Sequence, residues 1–264
     1  MRLLATDLDG TLLGHDGQVS SRSVAALQAA RDAGWLVVLA TGRPPFMVDL
    51  LMEQLGASVT HGVMANGSVV ATLPDQQVLR SVRFDVEVAT GVVEQLRGID
   101  PSYRFALATD VGFAHEHGFA ERMPAPTLTP RTGDVLEAAA GATEAIKLMV
   151  FHDRYGAHEL LGLLPTILGH DVSVTHMGAD CVEVGVAGID KATGLTFLCD
   201  HLGVDAADVV AFGDEFNDHE MLMWAGHAVA MANAHPATRD LADEVTLSNF
   251  DDGVAVVIER LLGA

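Results

Sequence analysis

Short, uninterrupted apolar runs recur in the first and last parts of the chain, and a stretch of helical periodicity follows each of them. The runs at residues 3–5, 36–40 and 209–212 show no alternation of polar and apolar positions. Such runs are typical of strands that are buried on both faces of a parallel sheet. Ser20 can cap the first helix, and Pro44 can begin the second. This order of strands and helices predicts an α/β fold with a doubly wound parallel sheet.

The pattern changes in the middle of the chain. Asn66 and Gly67 stand between two apolar stretches and predict a β-hairpin, although an asparagine there can also point at a ligand. Helices mixed with mainly antiparallel strands then predict a separate α+β domain at residues 83–187, inserted into a core of residues 1–82 and 188–264. The elements expected in the insert are helices at 85–97 and 155–168 and strands at 103–109, 145–151, 171–177 and 180–186.

Chemically active side chains collect where the predicted core strands end. They are Asp7 and Asp9 after the first strand, Thr41, Gly42 and Arg43 after the second, Lys191 at the start of a helix, and Asp214, Asn217 and Asp218 after strand 209–212. The carboxyl ends of parallel strands lie at one edge of a sheet, and open α/β sheets bind their ligands at that edge. We therefore expect these residues to converge.

Each group has a simpler explanation when it is taken singly. Aspartates such as Asp7 and Asp9 often end a strand and cap a turn. Lys191 can be a solvated helix residue, and the dipole of a helix favours acids such as those at 214–218 near its start. A calcium loop that begins at Asp7 is excluded, because its sixth position requires glycine and the chain has Leu12 there. The joint occurrence of these groups favours one shared site.

Composition narrows the class of protein. The chain has 264 residues, with 15 Lys and Arg against 36 Asp and Glu, and its formal net charge of −21 argues against nucleic acid and anionic membranes as partners. Its two cysteines have no C-x-x-C spacing, which suits a reducing compartment. We see neither a signal peptide nor an apolar stretch of the roughly 18 residues that a membrane span needs. We expect a soluble, cytoplasmic protein, either a monomer or a homodimer.

Four motifs resemble those of a known family, the haloacid dehalogenase (HAD) superfamily of phosphohydrolases. The run Asp7-Leu8-Asp9-Gly10-Thr11 is similar to the first motif of that family. The later motifs are matched by Thr41 with Gly42 and Arg43, by Lys191, and by Gly213 and Asp214 with Asn217 and Asp218. The insert resembles the α/β cap of the Cof-like subgroup. The resemblance implies a HAD-like Rossmannoid core with a cap that determines substrate specificity.

The resemblance also implies a chemistry for the acidic residues. Asp7 would be the nucleophile and would form an aspartyl-phosphate. Asp9 would protonate the leaving group and then activate water. The implied cofactor is Mg²⁺, with Asp7, the backbone carbonyl of Asp9 and Asp214 as ligands. Asp218 would either bind the metal or support it.

Further residues would serve the phosphate and the rest of the substrate. The resemblance implies that the Thr41 hydroxyl and the Gly42 amide hold phosphoryl oxygens, and that Lys191 balances charge between Asp7 and the phosphate. Several acids cannot share a small site with a phosphate unless cations are present, so Mg²⁺ and Lys191 are the minimum, with Arg43 a possible addition. The remaining expected substrate contacts are Asn66, which is otherwise a turn residue, and Asn217.

We therefore expect a Mg²⁺-dependent phosphatase of small phosphorylated metabolites, such as sugar phosphates, phosphorylated cofactors or nucleotides. Asp9 favours a phosphatase or a phosphomutase, because the family's dehalogenases lack this second acid of the first motif. Two alternatives stay open at this point. One is a phosphomutase or phosphotransferase on the same fold, and the other is a ligand-binding protein without catalysis.

Overall fold

The computed structural model describes residues 2–109, 112–119, 131–176 and 180–263. Its strands are β1 (Leu3–Thr6), β2 (Leu36–Ala40), β3 (His61–Met64), β4 (Val69–Thr72), β5 (Val78–Ser81), β6 (Phe84–Asp85), β7 (Tyr103–Thr109), β8 (Gly112–His115), β9 (Arg131–Thr132), β10 (Glu144–His152), β11 (Val172–His176), β12 (Val182–Val186), β13 (Val209–Gly213), β14 (His227–Ala230) and β15 (Glu244–Val245).

The helices of the described residues alternate with these strands. They are α1 (Ser21–Asp32), α2 (Pro45–Val48), α3 (Met52–Leu55), α4 (Val86–Ile99), α5 (Val135–Ala138), α6 (Ala157–Leu168), α7 (Lys191–Leu202), α8 (His219–Trp224), α9 (Pro236–Leu241) and α10 (Gly253–Leu262). Among the described residues, no helix combines the length and the apolar character that crossing a membrane requires.

Contacts divide the chain into two compact units, one of Met1–Ser81 with Asp190–Ala264 and one of Val82–Ile189. The first unit contains a sheet with the strand order β15-β14-β13-β1-β2-β3-β4-β5. Its strands are parallel from β15 to β3, and β4 and β5 add an antiparallel edge. This architecture confirms the predicted doubly wound α/β core.

Successive side chains of β1 enter different halves of the core. Leu4 belongs to an apolar cluster with Leu27 of α1 and Ile258 of α10. Leu3 belongs to a second cluster, with Leu195 of α7 and Met221 of α8. Because both faces of the sheet are covered, every residue of β1 is buried, and the strand shows no polar and apolar alternation.

The second unit is an α+β domain, as predicted for the insert. Its sheet has the order β11-β12-β10-β7-β8-β9, and β6 pairs with β10. The strands are antiparallel except for the β8–β9 pair. An apolar cluster joins α4 and α6 to this sheet, with Leu96, Leu164 and Leu148 among its fully buried members. The strand expected at 171–177 is observed as Val172–His176, and residue 177 lies outside the described residues.

The segment after β1 has an irregular backbone. Strand β1 ends at Thr6, just before Asp7, and an irregular helical turn follows at Leu8–Leu12. Asp9 has ψ 114° and Gly10 has φ 83°, so neither residue has helical backbone angles. Glycine tolerates the left-handed region at no steric cost. The turn therefore takes Asp9 out of the sheet.

A close contact between two glycines brings the β3–β4 hairpin against the first turns of α7. A methyl group added to Gly67 would lie 1.9 Å from the carbonyl oxygen of Asp190. One added to Gly194 would lie 2.5 Å from Cγ1 of Val63 and 2.9 Å from Cα of Gly67. The hairpin that Asn66 and Gly67 predicted therefore packs on the helix that begins with Lys191.

We expect Gly194→Ala to lower the free energy of unfolding by about 1–3 kcal/mol, because the methyl group enters a filled space. Urea unfolding measures this change. Gly162→Ala is the matched control, since Gly162 lies in α6 and a methyl group there meets nothing within 4 Å. That control should gain about 0.5–1 kcal/mol from helix propensity. Equal stability of Gly194→Ala and the parent protein would contradict the tight contact.

Candidate active site

The adjacent strands β1 and β13 bring the first motif, which contains Asp7, and the fourth motif, which contains Asp214, to the same edge of the sheet. Thr6 pairs with Phe212 in parallel register, and the Asp7 N–H donates to the Phe212 carbonyl at 3.0 Å. Both strands then end, β1 before Asp7 and β13 before Asp214. Residues that are far apart in sequence therefore meet, as the parallel topology predicts.

Lys191 is fully buried and joins two of the acids. Its Nζ donates to Oδ1 of Asp7 and to Oδ1 of Asp218, each at 2.6 Å. Asp190 caps the helix by accepting the Thr193 N–H at 2.7 Å, which fixes the backbone next to Lys191. Burial alone would lower the pKa of Lys191, but the charges of Asp218 and Asp7 outweigh it and raise that pKa above the usual value. Lys191 is therefore a permanent cation of the site.

Both carboxylate oxygens of Asp218 are engaged by the protein. Oδ1 accepts from Lys191, and Oδ2 accepts the backbone N–H groups of Asp214 at 2.9 Å and Glu215 at 3.1 Å. Gly213 leaves the room that this requires, because a methyl group there would lie 2.5 Å from Cβ of Asp218. Asp218 therefore shapes the turn and holds Lys191.

Asp7 and Asp214 are buried acids whose protonated forms are favoured. Burial is the largest cause and raises the pKa of Asp7 to about 7, against the opposing charge and hydrogen bond of Lys191. Burial, followed by the charges of Asp7 and Asp218, raises the pKa of Asp214 to about 9. The Thr11 hydroxyl donates to Oδ1 of Asp214 at 2.8 Å. One lysine is insufficient to neutralise this group of acids.

The donor set fits a hard divalent cation. Asp7, Asp214 and Asp218 each offer a carboxylate oxygen, and these oxygens lie within 4.8 Å of one another. Within the described part of the chain, the hydrogen bonds of Asp7 and Asp214 use Oδ1 and leave Oδ2 for a ligand. Oxygen ligands of this kind suit Mg²⁺ and Ca²⁺. The fit is best for Asp7 and Asp214, because Asp218 already has protein partners at both oxygens.

Asp9 lies outside this carboxylate group and forms a bidentate ion pair with Arg43. Nε of Arg43 donates to Oδ2 at 2.7 Å, and Nη2 donates to Oδ1 at 2.6 Å. The Arg43 backbone N–H donates to the hydroxyl oxygen of buried Thr41 at 3.0 Å, and the Thr41 N–H donates to the Val63 carbonyl at 2.8 Å. Arg43, expected on the substrate side, thus holds the expected acid–base residue.

Asn66 and Asn217 form a third group. Nδ2 of Asn217 donates to Oδ1 of Asn66 at 3.2 Å. Asn66 has φ 51° and its N–H donates to the Thr41 carbonyl at 3.0 Å, so it is a turn residue that also lies beside the second motif. The structure thus brings the expected residues into three linked groups, while their roles toward a substrate stay predictions.

The sequence interpretation missed two features of the site. Thr11 was noted as part of the first motif without a role, yet its hydroxyl holds Asp214. Asn233 was overlooked, although its Nδ2 donates to the Gly10 carbonyl at 2.7 Å. The motif itself could have indicated Thr11, whereas no local pattern marks Asn233.

Comparisons with known proteins agree over nearly the whole chain. The family model of the haloacid dehalogenase-like hydrolases matches residues 4–258. A 5-amino-6-(5-phospho-D-ribitylamino)uracil phosphatase of Bacillus subtilis (strain 168) is 30% identical over 261 residues, which cover 96% of this chain and 94% of that protein. An HMP-PP phosphatase of Serratia proteamaculans (strain 568) is 30% identical over 268 residues, covering 97% of this chain and 92% of that protein.

A solved structure shows the same similarity. A haloacid dehalogenase-like hydrolase from Bacillus subtilis is 26% identical and has a TM-score of 0.84, with 99% of this chain and 100% of that chain covered.

We expect the metal-free protein to lose stability as pH rises from about 5 to about 9. The folded state keeps protons on Asp7 to about pH 7 and on Asp214 to about pH 9, whereas the unfolded chain releases them near 3.8. For each proton that only the folded state retains, the free energy of unfolding falls by about 1.4 kcal/mol per pH unit. Urea unfolding in EDTA measures this slope. Asp214→Asn removes one of the two groups and should flatten it, and equal slopes for parent and variant would contradict the shifted pKa.

Proposed function

The chain belongs to the haloacid dehalogenase-like hydrolase family, and we propose that it is a Mg²⁺-dependent phosphatase that hydrolyses small phosphorylated metabolites through an aspartyl-phosphate. This match and the phosphatase relatives confirm the family resemblance of the motifs. They also confirm the predicted enzyme class, a phosphatase, which is a phosphoric monoester hydrolase. One observation carries the proposal: buried Asp7 is held by Lys191 and lies with Asp214 in a group of acids that fits a divalent cation.

Asp7 has the properties of an oriented nucleophile. Its backbone is fixed by the bond to Phe212, and its carboxylate is held by Lys191. In the proposed first step, a carboxylate oxygen of Asp7 bonds to phosphorus while the bond from phosphorus to the ester oxygen breaks. Because Lys191 stays charged in its buried place, it compensates the negative charge of Asp7 and of the phosphoryl group.

Asp9 serves as the acid and then as the base. In the first step its proton passes to the departing ester oxygen, and in the second it takes a proton from the water that attacks the aspartyl-phosphate. The second step releases phosphate and restores the Asp7 carboxylate. Because Arg43 donates to both oxygens of Asp9, the proton-carrying form requires a loosened pair. We infer that phosphoryl oxygens of the substrate compete with Asp9 for Arg43.

The expected metal ligands are Asp7, Asp214 and the backbone carbonyl of Asp9, with Asp218 in support. A bound Mg²⁺ would supply positive charge where the phosphoryl oxygens gather. The Thr41 hydroxyl accepts from the Arg43 N–H and keeps its own proton to donate to a phosphoryl oxygen, which supports the role expected of it. The neighbouring Gly42 amide is the second donor that we propose.

Small metabolites are the substrate class that the relatives support, since they act on a phosphoribitylamino-uracil and on HMP-PP. The inserted unit, Val82–Ile189, is our proposed source of substrate specificity. We propose a cytoplasmic site of action, consistent with two free buried cysteines.

We expect Asp7→Asn to lower the turnover of para-nitrophenyl phosphate in Mg²⁺ by about 10⁴-fold or more, the scale on which the loss of a nucleophile is measured. The fold should stay intact, as circular dichroism and gel filtration would show. Asp32→Asn, an exposed position at the end of α1, is the control and should keep the parent turnover. Turnover of Asp7→Asn near the parent level would overturn the assignment.

Solvent oxygen separates hydrolysis from group transfer. During turnover in water labelled with oxygen-18, we expect every released phosphate to gain one labelled oxygen, because water attacks the phosphorus of the aspartyl-phosphate. Mass spectrometry of the phosphate measures the label. Transfer of the phosphoryl group to an added alcohol in place of water would instead support a phosphotransferase.

EDTA should abolish turnover and added Mg²⁺ should restore it.

A further inference from the structure

Two asparagines from the C-terminal part of the chain bind the turn that carries Asp9. Nδ2 of Asn233 donates to the Gly10 carbonyl at 2.7 Å, and Nδ2 of Asn249 donates to the Leu13 carbonyl at 2.7 Å. The Asn249 backbone N–H donates to Oδ1 of Asn233 at 3.0 Å and links the two. We propose that Asn233 is a positioning residue of the reaction, which sets the distance between the first and fourth motifs.

The turn needs an outside donor because its own backbone is irregular. Gly10 has φ 83° and ψ −6°, and the Leu13 N–H closes the turn by donating to the Leu8 carbonyl at 2.9 Å. The Gly10 carbonyl belongs to the same peptide unit as the Thr11 nitrogen. Rotation of that unit would move the Thr11 hydroxyl off Asp214 and change the direction of Asp9. The hydrogen bond from Asn233 opposes this rotation.

The backbone around Asn233 is bonded to the fourth motif at the same time. The Met231 N–H donates to the Gly213 carbonyl at 3.2 Å, and the His235 N–H donates to the Asp214 carbonyl at 3.0 Å. The segment 231–235 thus runs along Gly213 and Asp214 with its backbone and reaches the first motif with the Asn233 side chain. It fixes the spacing between Asp214 and the Asp9 turn, both of which belong to the proposed metal and proton-transfer chemistry.

Asparagine suits this place because both ends of its amide are used. Its nitrogen donates to Gly10 and its oxygen accepts from Asn249, and only a carboxamide side chain offers a donor and an acceptor in this arrangement. An aspartate could accept from Asn249 but would set a carboxylate against the Gly10 carbonyl. Asn233 is exposed, so its replacement removes little packing.

The inference rests on the proposed function, and its test includes a measurement of Mg²⁺ binding that does not require turnover. For Asn233→Ala we expect kcat on para-nitrophenyl phosphate to fall about 10- to 100-fold, the scale for residues that orient metal ligands, with KM changed less. The Mg²⁺ dissociation constant, obtained without substrate from the rise in melting temperature with Mg²⁺ concentration, should increase by about the same factor. Asn233→Gln should retain more activity than Asn233→Ala, and Asn233→Asp should be no more active than Asn233→Ala.

The matched control is Gln95→Ala, which also removes an amide-to-carbonyl bond, from Nε2 of Gln95 to the Ile167 carbonyl at 3.0 Å in the second unit. Both kcat and the Mg²⁺ dissociation constant should stay at the parent values. An Asn233→Ala protein with parent kcat and parent Mg²⁺ dissociation constant would overturn the inference, as would an activity loss that only follows the fraction of folded protein. Absence of Mg²⁺-dependent hydrolysis in the parent would overturn the proposed function, while the melting experiment would still decide on Asn233.

Discussion

The buried ammonium group of Lys191, held between Asp7 and Asp218, is the interaction on which the rest of the site depends. An uncompensated charge in a protein interior costs several kcal/mol, so neither the lysine nor the two acids could occupy this place alone. The sheet edge brings the acids together, and α7 must begin where its first residue reaches both of them. Sheet register, helix position and charge balance are thus parts of one constraint.

Close backbone approach makes this arrangement possible. Gly67 and Gly194 let the β3–β4 hairpin pack on α7, and Gly213 makes room for Asp218. Gly10 lies so near Asp214 that an added methyl group would be 2.1 Å from its Oδ2. Each of these glycines therefore allows a close approach in or beside the site that a side chain would block.

The remaining acid, Asp9, lies in a different environment. Asp7 and Asp214 are buried and have raised pKa values, whereas Asp9 is about a third exposed and paired with Arg43. Two environments for neighbouring acids suit the two proposed roles, because Lys191 holds the proposed nucleophile in place while the proposed acid–base residue must exchange protons with substrate and water. In the proposed mechanism, the ion pair with Arg43 links that exchange to the arrival of an anionic group.

The sequence alone predicted the α/β core, the inserted α+β unit and the convergence of the acids, because each follows from local patterns. Buried strands are apolar throughout, and parallel strands end at one edge.

The partners of individual side chains could not be read in this way. That Arg43 would bind Asp9, that Asp218 would bind Lys191, and that Asn233 would bind Gly10 depend on contacts across tens to hundreds of residues. The hairpin was predicted from Asn66 and Gly67, but its packing on α7 was decided only when Gly67 met Gly194. Such contacts are decided by three-dimensional packing, for which sequence spacing holds no local signal.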